Sequence, residues 1–597
     1  MDNLFKTKPF NHQIECLAKF GRHVAFALLA EQGTGKTKII IDNVAQLWAS
    51  GDCNGLIVFA PNGVHHNWVL REMPVHMPDW VRFRMAAWSA GANKKDQRRL
   101  SSLFEGNDSS ELRILCMNSE GLQHKRSTEF AEKFAQSCSK LMIVADESTD
   151  FKNPSSARTK SLMKMKKFST WRRIMNGTPV PNGPFDAFSQ FAFLDESILQ
   201  TTSYYAFKAE YAEILQEGHP LLDHIMGKKT KMTVAERGEL ETKLQRIKSF
   251  LVENGRQELI EIGASMVMDF RATDYDAVLS ENDRLRNSLG EGSSKRKLAL
   301  LFTMGEVDRQ IVDHQNAVAR SRSTSKRIPQ VVERDKTGAP KYKNLEKLQA
   351  LIAPHSFRVL KKDCLDLPDK IYKTVWFDLT PTQQEIYDKA EKENRLALDG
   401  EDTVFNKLVA QMKLMQITSG YYLHPEAVEP VRIGGENPKL ELLAERACAV
   451  VEAGEKLIVW ARYRVQIEDV CRSLRSKGLI VVEYHGGISR SGREEAIESF
   501  ERGGATVFVG QQQAGGRGLT LIAASNVFYY SNTYALDHRQ QTEDRAHRIG
   551  QDKNVIYTDF CARDTVDYEC IERLRSKEGV AAIVTGDSKQ KDGAQFA

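Results

Sequence analysis

Short apolar runs, each closed by polar or turn residues and separated by helical patterns, set the fold class of this chain. VAFALLA (24–30), GLIVFA (55–60), LRILCM (112–117) and LMIVAD (141–146) belong to one series. EKLIVWA (455–461), LIVVEYH (479–485), ATVFVG (505–510) and NVFYY (526–530) repeat the rhythm after residue 436. Runs this short and this rich in Ile, Val and Leu read as parallel strands buried on both faces. At 597 residues the chain exceeds what one core supports, so two α/β units are expected. Between them, TVAERGELETKLQRIKSFLVE (233–253) carries apolar residues at helical spacing, and SRSTSKRIPQVVERDKTGAPKYKN (321–344) reads as a basic loop.

Composition narrows the function classes. The net charge is only +5, so a nucleic-acid surface has to be a local patch of Lys and Arg. Nine cysteines stand singly with no C-x-x-C pair, which argues against a zinc site and suits a reducing compartment. No apolar run has the length of a signal peptide or a membrane span.

Two motifs carry chemistry. GTGKT (33–37) lies between the run VAFALLA and the helical pattern IIIDNVAQLW. Strand, glycine loop and helix together form a phosphate cradle, in which backbone N–H groups and the helix N-terminus meet the anion. Lys36 is expected to reach the β- and γ-phosphates of a bound nucleotide and Thr37 to ligate Mg2+, with Gly33, Thr34 and Gly35 forming the loop. A plain Gly-rich turn is the alternative. The run LMIVA ends in Asp146 and Glu147, where α/β sheets bind ligands. Asp146 would hold Mg2+ and Glu147 would orient or deprotonate the attacking water. A solvated strand end is the alternative.

In QTEDRAHRIGQ (541–551), Arg545 and Arg548 stand three apart, on one face of a helix. Taken alone, this segment fits better an exposed helix with its arginines paired to Glu543 or Asp544, since such surface pairs are common. His65 and His66 have no ligand-spaced partner, and Trp68 reads as packing rather than base stacking.

In this order the motifs resemble those of superfamily 2 nucleic-acid-dependent ATPases, most closely the Swi/Snf-like double-stranded-DNA translocases. PFNHQ (9–13) resembles the adenine-reading glutamine motif, VFAPNGVHHNW (58–68) a strand-contact motif, and MNGTPVPNGPFDAFSQFAFLD (175–195) the GTP segment that couples hydrolysis to strand contact. FRVLKKDCLDLPDKIYKTVWFDLTPTQQEIY (357–387) resembles the stretch that closes the first lobe. YHGGISRSGREEAIESF (484–500), QQQAGGRGLTLIAASNVFYY (511–530) and DRAHRIGQ resemble second-lobe motifs.

The resemblance implies two RecA-like parallel-sheet lobes with a helical insertion between them. The expected boundaries are 1–205 for the first lobe, 206–345 for the insertion with its basic loop, and 346–435 for the end of the first lobe and connecting helices. The second lobe is expected at 436–580 and a disordered tail at 581–597. The resemblance also implies a split active site in which Arg545 and Arg548 approach the γ-phosphate from the second lobe. Gln13, Gly518 and Gln541 would contact the nucleotide. Pro61, Asn62, His65, Asn118, Thr178, His485 and Gly515 would contact nucleic acid.

The chain departs from the family pattern in three places. It has EQGTGKT for DEMGLGKT, GGRGLTL for GGLGLNL, and DEST for DEAH or DEGH. In the last, either Ser148 or Thr149 takes over the hydrogen bonding of the missing histidine or the coupling is looser. The departures point to a divergent, prokaryotic or phage branch.

The expected activity is ATP- and Mg2+-dependent translocation along duplex DNA by a monomer. Its compartment would be the cytoplasm of a bacterial or phage-infected cell, or the nucleus in a eukaryote. Lys295, Arg296, Lys297, Arg320, Arg322, Lys326 and Arg327 of the insertion would add grip or form a solvated basic face. A strand-separating helicase and a nucleotide-gated DNA-binding scaffold are the competing readings.

Overall fold

The first sheet has seven parallel strands, β1 (Ala25–Ala30), β2 (Gly55–Ala60), β3 (Phe83–Ala87), β4 (Leu112–Asn118), β5 (Leu141–Asp146), β6 (Ser169–Met175) and β7 (Ser356–Val359). Their order is β3-β4-β2-β5-β6-β1-β7. In this computed structural model the described residues are 4–105, 111–215, 330–334, 340–400, 404–422, 431–515 and 519–587.

Successive side chains of a strand point to opposite faces. Ala27, Leu29, Ile57, Phe59, Ile143 and Ala145 accordingly join one buried cluster. Phe26, Leu28, Leu56, Val58, Met142 and Val144 join another. Both faces are covered, which is why the runs are continuously apolar rather than alternating.

The second sheet has six strands. After β8 (Lys370–Phe377) and a small antiparallel pair, β9 (Tyr421–Tyr422) and β10 (Val431–Arg432), come β11 (Lys456–Ala461), β12 (Val481–Tyr484), β13 (Val507–Gln511), β14 (Ala524–Tyr529) and β15 (Val555–Ala562). The sheet order is β12-β13-β11-β14-β15-β8, all parallel. Its strands are likewise divided between two buried clusters.

Three boundaries differ from expectation. Of the 357–387 stretch only Phe357–Val359 joins the first sheet, as part of β7, which pairs with β1. Lys370–Phe377 is instead the edge strand of the second sheet, paired along its whole length with β15. The chain therefore changes lobe between Val359 and Lys370. Residues 581–587 are ordered: the helix Val566–Thr585 leaves the second lobe and places Ala581 and Val584 in the first lobe's core beside Leu345, Leu348 and Ile352. Residues 588–597 lie outside the described residues.

The insertion is narrower than 206–345. The helix Tyr204–Tyr211 buries Phe207 and Tyr211 in the first lobe's core, and the separate unit spans Ile214–Glu333. Within that unit an antiparallel bridge joins Ile214 to Val332. The 233–253 pattern, and the lysines and arginines named at 295–297, 320, 322, 326 and 327, lie outside the described residues.

Candidate active site

The phosphate loop follows β1 and ends where α2 (Lys36–Ala49) begins. Gly33 and Gly35 have φ of +86° and +81°, the left-handed region that glycine enters without a Cβ penalty. A Cβ at Gly35 would also stand 2.2 Å from Gln13 Nε2. Gln13 belongs to α1 (Asn11–Phe20) and is buried. Its Nε2 donates to the carbonyls of Thr34 and Gly35 at 3.3 and 3.4 Å, and its Oε1 accepts from Phe10 N at 2.9 Å. Thr34 is buried and donates to Glu31 O from both its N–H and its hydroxyl.

No side chain caps the first turn of α2, which leaves its N–H groups turned to the loop. Lys36 Nζ is buried against the carbonyls of Ala30 and Glu31, at 2.8 and 3.2 Å. Burial pushes its pKa down, while Glu147, Asp146, Asp544 and Glu31 oppose that shift. Thr37 is half-buried one residue on. An uncapped helix start, two left-handed glycines, a buried lysine and two carboxylates within its field fit a nucleoside triphosphate with a divalent cation.

Asp146 closes β5 and is buried. Trp68 Nε1–H donates to its Oδ2 at 2.9 Å. Glu147 follows in left-handed backbone, φ 52° and ψ 60°. Such a conformation costs a non-glycine residue about 1–3 kcal/mol and concentrates at active sites. Past it, Ser148 Oγ donates to Gln190 Oε1 at 2.5 Å, and Gln190 Nε2 donates to the carbonyls of Pro179 and Asp186. Asn176 Nδ2 donates to Thr149 Oγ1 at 3.1 Å, and Asn176 Oδ1 accepts from Thr178 N at 2.8 Å. The Ser-Thr pair thus reaches the GTP segment that a histidine serves in the family pattern.

The helix Leu536–Ala546 of the second lobe faces this loop. Arg545 is buried; its Nη2 donates to Gln32 Oε1 beside Gly33, its Nη1 to Leu519 O at 2.9 Å and its Nε to Gln541 O at 2.8 Å. Burial lowers the Arg545 pKa to about 10, and Asp544 works against that shift. Arg548 donates to Leu519 O at 3.0 Å. Its pKa is lowered by burial, against the pull of Asp544 and Glu72. One residue before Gln541, which is itself buried, Gln540 accepts from Thr178 Oγ1 across the lobes.

The helix is anchored from behind by Arg539, which is fully paired with Asp559 (2.6 Å) and Glu543 (2.8 Å) and lies 3.6 Å from the Tyr529 ring centroid. A cavity of about 350 Å3, lined by Glu31, Gln32, Glu147, Thr178, Gln541 and Asp544 among others, opens between the lobes.

Sequence reasoning missed Gln32 and Gln540, and it weighed Asp544 only as a surface partner of the two arginines. It took Trp68 for packing alone. Trp68 is indeed buried, but its N–H has a carboxylate partner.

The expected nucleic-acid contacts do not come together as a set. Asn62 is exposed, whereas Pro61 and His65 are buried, the latter 2% exposed with its ring against His66. Asn118 is half-buried at the end of β4. His485 is buried, with its Nδ1 accepting from Gly487 N at 3.1 Å and its Nε2 3.7 Å from Glu483. A Cβ on Gly515 would meet the Trp460 ring at 2.3 Å, so that glycine permits a close approach to an indole. The rings of His65 and His485 turn inward because each is packed into its own lobe. Gly518 lies outside the described residues.

The profile of the SNF2-related domain matches residues 12–317, just over half of the chain, and that of the helicase conserved C-terminal domain matches residues 439–550. YwqA of Bacillus subtilis, a helicase/translocase by name, is 27% identical over 246 residues, 40% of this chain and 26% of that protein. Protein CHROMATIN REMODELING 19 of Arabidopsis thaliana is 21% identical over 96% of this chain and 69% of its own length. The chain thus spans about a quarter of the first relative and about two thirds of the second. A solved structure, the Sulfolobus solfataricus SWI2/SNF2 ATPase core in complex with dsDNA, is 19% identical over 100% of this chain and 97% of that one. The TM-score is 0.34, too low to bear on the arrangement of the parts. Among the described residues, no helix is long and apolar enough to cross a membrane.

Proposed function

The chain belongs to the SNF2-related family, and from that premise we propose that it is an ATP-dependent translocase acting on duplex DNA, with its hydrolytic site divided between the two lobes. One observation carries the reading: Arg545, from the second lobe, reaches Gln32 in the phosphate loop of the first. A cation so placed lies beside the residues that would hold the γ-phosphate. Hydrolysis then requires the lobes to be together, which makes it conditional on whatever brings them together.

The residues divide the work. The loop Gly33–Gly35 and the N-terminus of α2 would bind the phosphates of ATP, with Lys36 moving from carbonyls to phosphate oxygens. Thr37 and Asp146 would hold Mg2+. When bound, that ion would offset the negative charge of the phosphates. Glu147 would take or orient the proton of the attacking water. Arg545 and Arg548 would meet the charge that develops on the transferred phosphoryl group.

The bonded series Thr149–Asn176–Thr178–Gln540 gives hydrolysis a route to the second lobe. Residues near 58–68 and 176–183 are the candidates for strand contact, through the phosphate backbone and therefore with steep salt dependence.

The test is ATP hydrolysis by the purified chain alone and with single-stranded DNA, duplex DNA or RNA, alongside Lys36→Ala and Arg548→Ala. Strong stimulation by duplex DNA, lost in both variants, is the expected result. Stimulation by single strands or RNA instead of duplex would overturn the substrate, and ATP binding without hydrolysis under every condition would overturn the activity.

A further inference from the structure

The helical stretch after β2 begins at Val64 and runs to His76, but its middle, Trp68–Glu72, is a π-helix. Such segments are rare and recur at functional sites, because the wider turn re-aims the side chains it carries. The π segment opens on Trp68. It is 1% exposed, and its indole N–H meets Asp146 Oδ2, 78 residues on, at 2.9 Å. At the other end of the same π segment, Glu72 lies within the field of both Asp146 and Arg548. The segment therefore touches the electrostatics of both halves of the split site. Its N-terminal flank is the loop that carries the exposed Asn62.

We propose that Trp68 is a positioning residue for ATP hydrolysis: its indole N–H fixes the carboxylate of Asp146 in the orientation from which that carboxylate holds the divalent cation. The inference rests on the reading of Asp146 as a cation ligand. An indole suits the task because it donates and cannot accept, so it orients a carboxylate without competing for the metal. Its bulk, locked in the core with only two side-chain torsions, makes the orientation rigid. Partners of this kind, one step removed from the metal, typically contribute 10–100-fold to metal affinity or activity.

Packing alone and positioning make different forecasts for Trp68→Phe, which keeps an aromatic ring and removes the donor. The experiment uses the full chain. A fluorescent ATP analogue reports nucleotide binding in EDTA and across a Mg2+ titration, steady-state hydrolysis is resolved into kcat and KM, and melting reports the fold.

Expected for W68F are a near-native melting temperature, wild-type analogue binding in EDTA, a Mg2+ midpoint raised about tenfold and kcat lowered about tenfold. A wild-type Mg2+ midpoint together with wild-type kcat would overturn the assignment. If W68F does not fold, benzothienylalanine at position 68 keeps the bicycle and replaces N–H by sulfur, and the same two outcomes decide. The premise fails separately: wild-type binding that ignores Mg2+, or D146N equal to wild type, would remove the cation role of Asp146 itself.

Discussion

Lys361 joins the two lobes through both of its nitrogens: Nζ lies 2.5 Å from Asp544 Oδ1 of the second lobe, while the backbone N–H donates to Glu31 Oε2 of the phosphate loop at 2.7 Å. Nζ also donates to His547 O at 2.8 Å. Burial alone would raise the Asp544 pKa, but Lys361 and Lys370 outweigh it and hold the carboxyl ionised. Breaking a buried pair from one side is costly because the other charge stays behind, by about 3–5 kcal/mol where nothing compensates. Lys370, 3.6 Å from Asp544, supplies partial compensation.

Lys361→Met should therefore destabilise the chain by about 2 kcal/mol. A double-mutant cycle with Asp544→Asn, read by the unfolding midpoint, should give a coupling of about 1–3 kcal/mol. Additive effects of the two substitutions would mean that the lobes are not held through this pair.

Arg545 is expected to act on the rate rather than on nucleotide affinity. Arg545→Lys keeps a charge but loses the planar fork that now serves Gln32, Leu519 and Gln541 at once. Arginine fingers contribute about 10³–10⁵ to the rate in related phosphoryl transfers. Arg545→Ala should lower kcat into that range with the Kd for an ATP analogue changed only a few-fold, and Arg545→Lys should recover little of it. A kcat within tenfold of wild type in both variants would remove Arg545 from the reaction.

What was legible in the sequence is what local pattern determines. The strands are legible because two covered faces demand an unbroken apolar run. The phosphate loop is legible because Gly33, Gly35 and Lys36 are adjacent in the chain. What escaped depends on partners far along the chain. Gln32 meets a residue 513 positions away, Thr178 one 362 away and Lys361 one 183 away. Nothing in the neighbourhood of Lys361 marks it as different from Lys362. The segment 370–377 was placed in the wrong sheet for a related reason: its apolar residues suit either sheet, and only the pairing with β15 decides. Trp68 illustrates a third limit, since burial was readable from its type but the destination of its N–H was not.

The Ser-Thr pair after Glu147 makes a forecast about coupling. Thr149→Val keeps the shape of the side chain and removes the acceptor for Asn176, the first bond of the series that ends at Gln540. A single hydrogen bond is worth about 0.5–1.5 kcal/mol net, a factor of about 2–10. The ratio of DNA-stimulated to unstimulated hydrolysis should fall by about fivefold. An unchanged ratio would mean that the lobes are coupled by another route, with Lys361 the next to test.

His65 predicts a dependence on pH that belongs to the fold rather than to catalysis. Burial, with the neighbouring His66, lowers its pKa from 6.5 to about 4. Unfolded, the ring takes a proton near 6.5; folded, it resists one until about 4. The neutral ring's contribution is therefore complete above pH 6.5 and is lost as the pH falls from there towards 4. At pH 5 the penalty comes to about 2 kcal/mol by linkage. His65→Gln should remove that much of the fall in stability between pH 7.5 and 5.0, measured as the shift in denaturant midpoint at the two values. Equal pH dependence in wild type and variant would show that His65 exchanges its proton as freely folded as unfolded. Its burial would then not be that of the native state in solution.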